Sequence, residues 1–146
     1  MIASILIIGC SLVMFLYWFR YTCLLILHSE PAKGYAARVA AANRLSFITI
    51  QTALKKQEGL ALDPLHRSLE NDYRIVKYLL EHASGLGVQS VEQKVMFLDY
   101  RIMQLWYRLS RNVSESHARG ALEEMSSILA YFANAMGERA AAVSEA

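Results

Sequence analysis

The stretch Ile2–Phe19 constrains this chain more than any other feature: eighteen residues, predominantly apolar, without one charge. A helix of that length reaches roughly 27 Å, enough to cross a matched or thin hydrocarbon core. Tyr17, Trp18, Phe19 and Tyr21 surround Arg20. Aromatic rings at headgroup depth beside a snorkelling arginine mark a membrane interface, so Tyr17, Trp18, Arg20 and Tyr21 are the candidate interface residues. Cys23–Leu27 is apolar again and reads as the same helix leaving the bilayer or lying in its surface before Pro31 stops it. A deeper span over 5–27, with Arg20 snorkelling, is the alternative.

Composition sharpens this picture. The chain has 146 residues and is 55% hydrophobic, high for a soluble protein. The excess sits in residues 1–28, where only Ser4, Gly9, Ser11, Arg20, Thr22 and His28 fall outside the apolar set. The remainder drops to about 49% apolar, an ordinary globular value. Intrinsic disorder, a multi-span transporter, a collagen-like chain and a disulfide-rich scaffold are excluded. The run lacks a basic n-region and a small-residue cleavage site, which argues against a secretory signal peptide. Ile7-Ile8-Gly9-Cys10 matches a lipoprotein box only superficially, because the apolar run continues past it.

Charge gives orientation. Arg20, Lys33, Arg38 and Arg44 follow the span, whereas the α-amino group alone precedes it. The positive-inside rule then places the amino terminus outside and the following domain in the cytoplasm. Between Ser29 and Lys56 five basic residues face one acid, Glu30; the rest of the chain is mildly acidic. This basic segment fits either attraction to an anionic membrane surface or a plain positive-inside bias. A net charge of +2 leaves no field to hold a nucleic acid. Cys10 and Cys23 suit a reducing compartment, and about 20 Å of helix between them forbids their pairing.

Four amphipathic helices follow by apolar period. The first covers about Tyr35–Glu58, with a row Ala36, Ala40, Asn43, Phe47, Ile50, Leu54 and Gly59 as its stop. The second opens at Asp63-Pro64, Asp as cap and Pro at the first helical position. Its row is Leu62, Leu65, Leu69, Tyr73, Val76, Leu80, Ala83, and Gly85-Leu86-Gly87 ends it. The third carries a capping box, Ser90-x-x-Gln93. Its row Val88, Val91, Val95, Leu98, Ile102, Leu105, Leu109 alternates three and four without a break. The fourth starts near 114–116, with Ala118, Leu122, Met125, Leu129, Phe132 and Met136. Glu70–Arg74, Lys77–Glu81, Glu115–Arg119 and Arg119–Glu123 are i,i+4 pairs of solvated faces. Short links predict an antiparallel, up-down arrangement. The expected fold is all-α: an N-terminal transmembrane helix and stalk (1–28), a hinge (29–34), an antiparallel up-down four-helix bundle (35–139) and a frayed tail (140–146).

Asp72-Tyr73-Arg74-Ile75 recurs as Asp99-Tyr100-Arg101-Ile102. Tyr73 lies in the second helix's row whereas Tyr100 lies outside the third's, so the match is read as a coincidence.

No reaction announces itself. His28, His66, His82 and His117 fall in none of the spacings that put two metal ligands on one helical face. A cross-helix site from His66 and His82 is weaker than exposed or capping roles. GxSxG, CxxC and Walker motifs are absent, so no catalytic, cofactor-binding or metal-ligating residues are expected, and the chain reads as not an enzyme. The third helix carries more than its row: Met96, Phe97, Tyr100, Met103, Trp106 and Tyr107 make it apolar over more than half its circumference. Either its own domain covers that surface, or Phe97, Tyr100, Met103, Trp106 and Tyr107 form a docking face.

The stretch Phe15-Leu16-Tyr17-Trp18-Phe19-Arg20-Tyr21-Thr22-Cys23-Leu24-Leu25-Ile26-Leu27 resembles the start of small single-pass proteins of acidobacterial genomes, which pair an N-terminal anchor with a short helical domain. The group has no established activity to carry over. The resemblance implies a bacterial inner-membrane protein. The expectation is a membrane-tethered helical interaction or scaffold module, whose partners are the lipid bilayer and either another protein or itself. An accessory subunit of a membrane complex, or a sensing subunit that repacks its helices, is the alternative.

Overall fold

A computed structural model describes residues 1–29, 34–56, 59–83 and 90–146. The expected hinge, the Gly85-Leu86-Gly87 turn, Val88 and the end of the first amphipathic helix at Glu58 lie wholly or mainly outside them. The described residues form six helices and no strand: α1 (Ile2–His28), α2 (Ala36–Asn43), α3 (Phe47–Lys56), α4 (Leu62–Ala83), α5 (Val91–Ser110) and α6 (Glu115–Glu145). They divide into two compact units, Met1–Glu30 and Pro31–Ala146.

The first unit is α1, one continuous 27-residue helix. It is long and apolar enough to cross a membrane. The Thr22 hydroxyl donates to the Trp18 carbonyl, satisfying a polar group within an apolar helix.

The second unit is organised by α6, which packs against α2, α3, α4 and α5 in turn. Its row Ala118, Leu122, Met125, Leu129 and Phe132 is buried, as the spacing predicts, with Ala121, Ile128 and Ala133 widening the stripe. The helix continues to Glu145, so the tail expected to fray after Arg139 is helical. Close approach is built into α6 at Gly137. A Cβ there would collide with the Cβ and Cγ of Tyr35, atoms held close to their own backbone.

The first amphipathic segment is two helices, not one. Arg44 adopts left-handed backbone, φ 53° and ψ 42°, and ends α2. The Ser46 N–H donates to Asp72 Oδ2 on α4 at 2.7 Å, and its hydroxyl donates to the same oxygen at 3.0 Å. A side chain from another helix thus satisfies a donor that the first turn of α3 leaves open. Leu45 and Ile50, at the positions of a hydrophobic staple around Ser46, are both buried. Elsewhere α6 supplies the partners: Asn134 Oδ1 accepts from the Ala36 N–H at 2.7 Å, and Arg119 donates to the Leu54 carbonyl at 2.9 Å. Despite the break, Ala40, Phe47, Ile50 and Leu54 share the buried side, as their spacing requires.

Among the described residues the backbones of α4 and α5 do not approach closely. Aromatic rings bridge them. Tyr73 stacks on Tyr100 at 4.0 Å with 3° between planes, and the Tyr100 hydroxyl donates to the Leu69 carbonyl at 3.1 Å. Phe97 stacks on Phe132 of α6 at 4.4 Å. The two Asp-Tyr-Arg-Ile segments therefore meet, and their residues are alike in setting. Asp72 and Asp99 are buried, the tyrosines stack, Arg74 and Arg101 are exposed, and Ile75 and Ile102 are half-buried. The register argument against this repeat fails because the core side of α5 is not the one its aliphatic row suggests.

Four substitutions test this packing by thermal denaturation of the full chain in detergent. Gly137→Ala drives a methyl into Tyr35 and lowers stability by about 1–3 kcal/mol. Gly120→Ala, in open space on the same helix, raises it by up to about 1 kcal/mol. Asp72→Ala removes the acceptor for α3 and costs about 1–2 kcal/mol, with Asp72→Asn costing less.

Candidate functional site

Helix α5 carries two apolar rows on opposite sides, each with alternating three and four spacing. The inner row is Gln93, Met96, Tyr100, Met103, Tyr107 and Ser110, and every member is buried. The outer row is Val91, Val95, Leu98, Ile102, Leu105 and Leu109. In that row Val91 is 78% exposed, Leu98 52%, Leu105 58% and Leu109 61%, with Val95 and Ile102 half-buried. This inverts the expected seam. The aliphatic row read as core faces solvent, and the Met/Tyr side read as a possible docking face is the core.

The physical reason lies in the hydroxyls. A buried tyrosine needs a hydrogen-bond partner, and α4 supplies two, the Leu69 carbonyl inside and the exposed Asp63 carboxylate at the rim. Tyr100 reaches the Leu69 carbonyl, and the Tyr107 hydroxyl donates to Asp63 Oδ1 at 2.7 Å. Burial pushes both phenols well above their ordinary range. Each of the half-exposed Leu side chains, by contrast, forgoes only about half of the roughly 1.5–3 kcal/mol that full burial yields.

Of the residues expected at a partner contact, Tyr100, Met103 and Tyr107 are thus interior. Phe97 is half-buried between Tyr73 and Phe132. Trp106 is 46% exposed and meets His117 edge-on at 6.2 Å. The sequence reading missed the outer row as surface. The available signal was the matching row of hydroxyl- and amide-bearing residues at 93, 100, 107 and 110, which mark an interior able to bond them.

A titratable cluster joins the start of α4 to the end of α5. Asp63 lies in the first turn of α4 rather than at its cap. It accepts from Tyr107, and Arg111 lies 3.4 Å away. The Tyr107 hydrogen bond is the main reason its carboxyl sits below the usual carboxylate range. His66 stacks on Tyr107 at 4.4 Å and is buried, which corrects the exposed or capping role expected for it. Its Nε2 has no hydrogen-bond partner among the described residues. His82 is exposed and stacks on Tyr78 of its own helix, so the two histidines do not form a site. Cys10 and Cys23 are free thiols.

The described residues form depressions at the surface. A shallow cleft of about 880 Å³ lies between the end of α3 and the start of α6. Lys55, Lys56 and Arg119 share it with Glu115 and Glu123, three cations against two carboxylates, a mixed set without a strong preference for one sign. A smaller groove of about 350 Å³ runs between α4 and α5, beside the outer row, lined by Tyr73, Lys77, Phe97, Leu98 and Arg101 among others. Among the described residues no three His, Cys, Asp or Glu side chains gather as a metal site would require. No protein-family model, curated protein or solved structure matches the chain.

His66 gives the domain an acid sensitivity. Burial lowers its imidazole pKa below 6.5, assisted by Arg108 and Arg111 and opposed by Glu70 and Asp63. The unfolded chain takes up the proton first, so stability present above pH 6.5 is lost as pH falls through the depressed folded value. His66→Phe, which keeps a ring against Tyr107, flattens the stability profile between pH 7.5 and 5. An equally steep profile in that variant assigns the effect elsewhere.

Proposed function

We propose that this chain is a non-enzymatic, membrane-tethered helical interaction module at the cytoplasmic face of a bacterial inner membrane. The observation that carries the reading is α1. Its most apolar eighteen residues are wholly unburied, and a bilayer is the environment that removes such a surface from water. The basic residues after the span support an outside amino terminus and a cytoplasmic helical domain. Tyr17, Trp18 and Tyr21, each more than half exposed, have the amphipathic character of an interfacial belt around Arg20. The resemblance of this segment to anchors of acidobacterial single-pass proteins supports the same membrane.

The helical domain fits an up-down four-helix unit in which α2 and α3 together supply one leg. Its function is local concentration: a tether holds a binding face in a thin layer, which raises encounter frequency without chemistry. The exposed row of α5 is the face suited to that task.

Topology tests the proposal. Full-length chain carrying a C-terminal green fluorescent protein remains in bacterial membranes after carbonate washing and fluoresces. The same chain fused to alkaline phosphatase is inactive. Release by carbonate removes the tether, and phosphatase activity places the domain outside.

A further inference from the structure

We infer that the outer row of α5 is a coiled-coil seam for a second copy of this chain, paired in parallel. The inference rests on the membrane-tethered reading and names the partner of that module.

Three observations carry it. Helix α5 meets α6 and, through its tyrosines, α4, and on its outer side Val91, Leu98, Leu105 and Leu109 remain exposed. The outer row follows a heptad: half-buried Val95 and Ile102 with exposed Leu109 at one core position, and exposed Val91, Leu98 and Leu105 at the other. Two β-branched residues in the first set and two leucines in the second follow the preference of parallel two-stranded coiled coils. A bilayer surface requires apolar area alone and has no use for that partition or for strict alternation.

Charge then selects the orientation. Lys94, Arg101 and Arg108 flank the seam one heptad apart, and all three are exposed. In an antiparallel pair this edge faces itself, cation against cation along the whole helix. In a parallel pair it faces the opposite edge, where Asp99 is buried and Trp106 offers a ring to Arg101.

The test uses full-length chain with Cys10→Ser and Cys23→Ser, in carbonate-washed membranes, oxidised and run on a non-reducing gel. Leu98→Cys and Leu105→Cys are each expected to convert most of the chain to covalent dimer. Asn71→Cys, exposed on α4, remains monomeric. Both seam sites are exposed, so neither substitution disturbs the core. Linkage of Val91→Cys on one chain to Leu109→Cys on another, without Leu98 or Leu105 dimers, overturns the parallel pair. Chain that stays in the washed membranes but links at none of these sites overturns the seam and leaves the tether standing. In that case quenching of Trp106 by brominated lipid, in a Trp18→Phe background, identifies the bilayer as the occupant. Chain lost in the carbonate wash refutes the tether, and with it the basis for this pairing.

Discussion

A helix with two apolar sides can turn only one of them into its own domain, and in α5 the choice falls to the tyrosine hydroxyls. Water satisfies a phenol on the surface, but a buried one needs an acceptor at fixed distance and angle. The Leu69 carbonyl and the Asp63 carboxylate provide those acceptors on α4. With Tyr100 and Tyr107 so held, the rings fill the gap between helices whose backbones stay apart. Phe97 and Phe132 extend the same layer to α6. The orientation of α5 follows, and with it the exposure of its aliphatic side.

Periodicity recovers the second unit unevenly. The rows of α3, α4 and α6 read from spacing are largely buried, because each of those helices has one apolar side and spacing finds it. In α5 both sides alternate by three and four, so period carries no preference, and an aliphatic row looks more like core than a row containing Gln93, Tyr107 and Ser110. Side-chain chemistry decides instead. The two Asp-Tyr-Arg-Ile segments correspond for the same reason, since Tyr100 lies on the buried side of α5 and not on its aliphatic row. The break at Arg44 escaped for another reason. Its cause is Asp72, twenty-six positions beyond Ser46, and local pattern cannot see an acceptor that arrives from another helix. The Leu45–Ser46–Ile50 arrangement was its local trace. Of the candidate contact residues, Trp106 and part of Phe97 reach the surface, and the exposed aliphatic row beside them went unrecognised.

The polar groups divide by cost. Asp72 is buried, and its pKa is raised by that burial, yet it keeps the bonds from Ser46 that define a helix start. Desolvating a carboxylate is unfavourable, and donors aimed at it offset the loss. Glu70–Arg74, Lys77–Glu81 and Glu115–Arg119 are single-turn pairs at 3.5–3.8 Å with at least one partner in solvent, each contributing a few tenths of a kcal/mol at most. The domain is held by a few interior bonds and its aromatic layer, not by the more numerous charges outside.

Because α6 packs on α2, α3, α4 and α5 and follows all of them in the chain, the ribosome completes the clients before their common surface. Through most of synthesis those helices carry apolar stripes with nothing to cover them, a state prone to association with other unfinished chains. The apolar helix α1 emerges earlier still. On the tethered reading proposed above, the chain is attached before it is folded, and the bilayer holds nascent copies apart from other unfinished chains in bulk solution during the interval when their stripes are most adhesive.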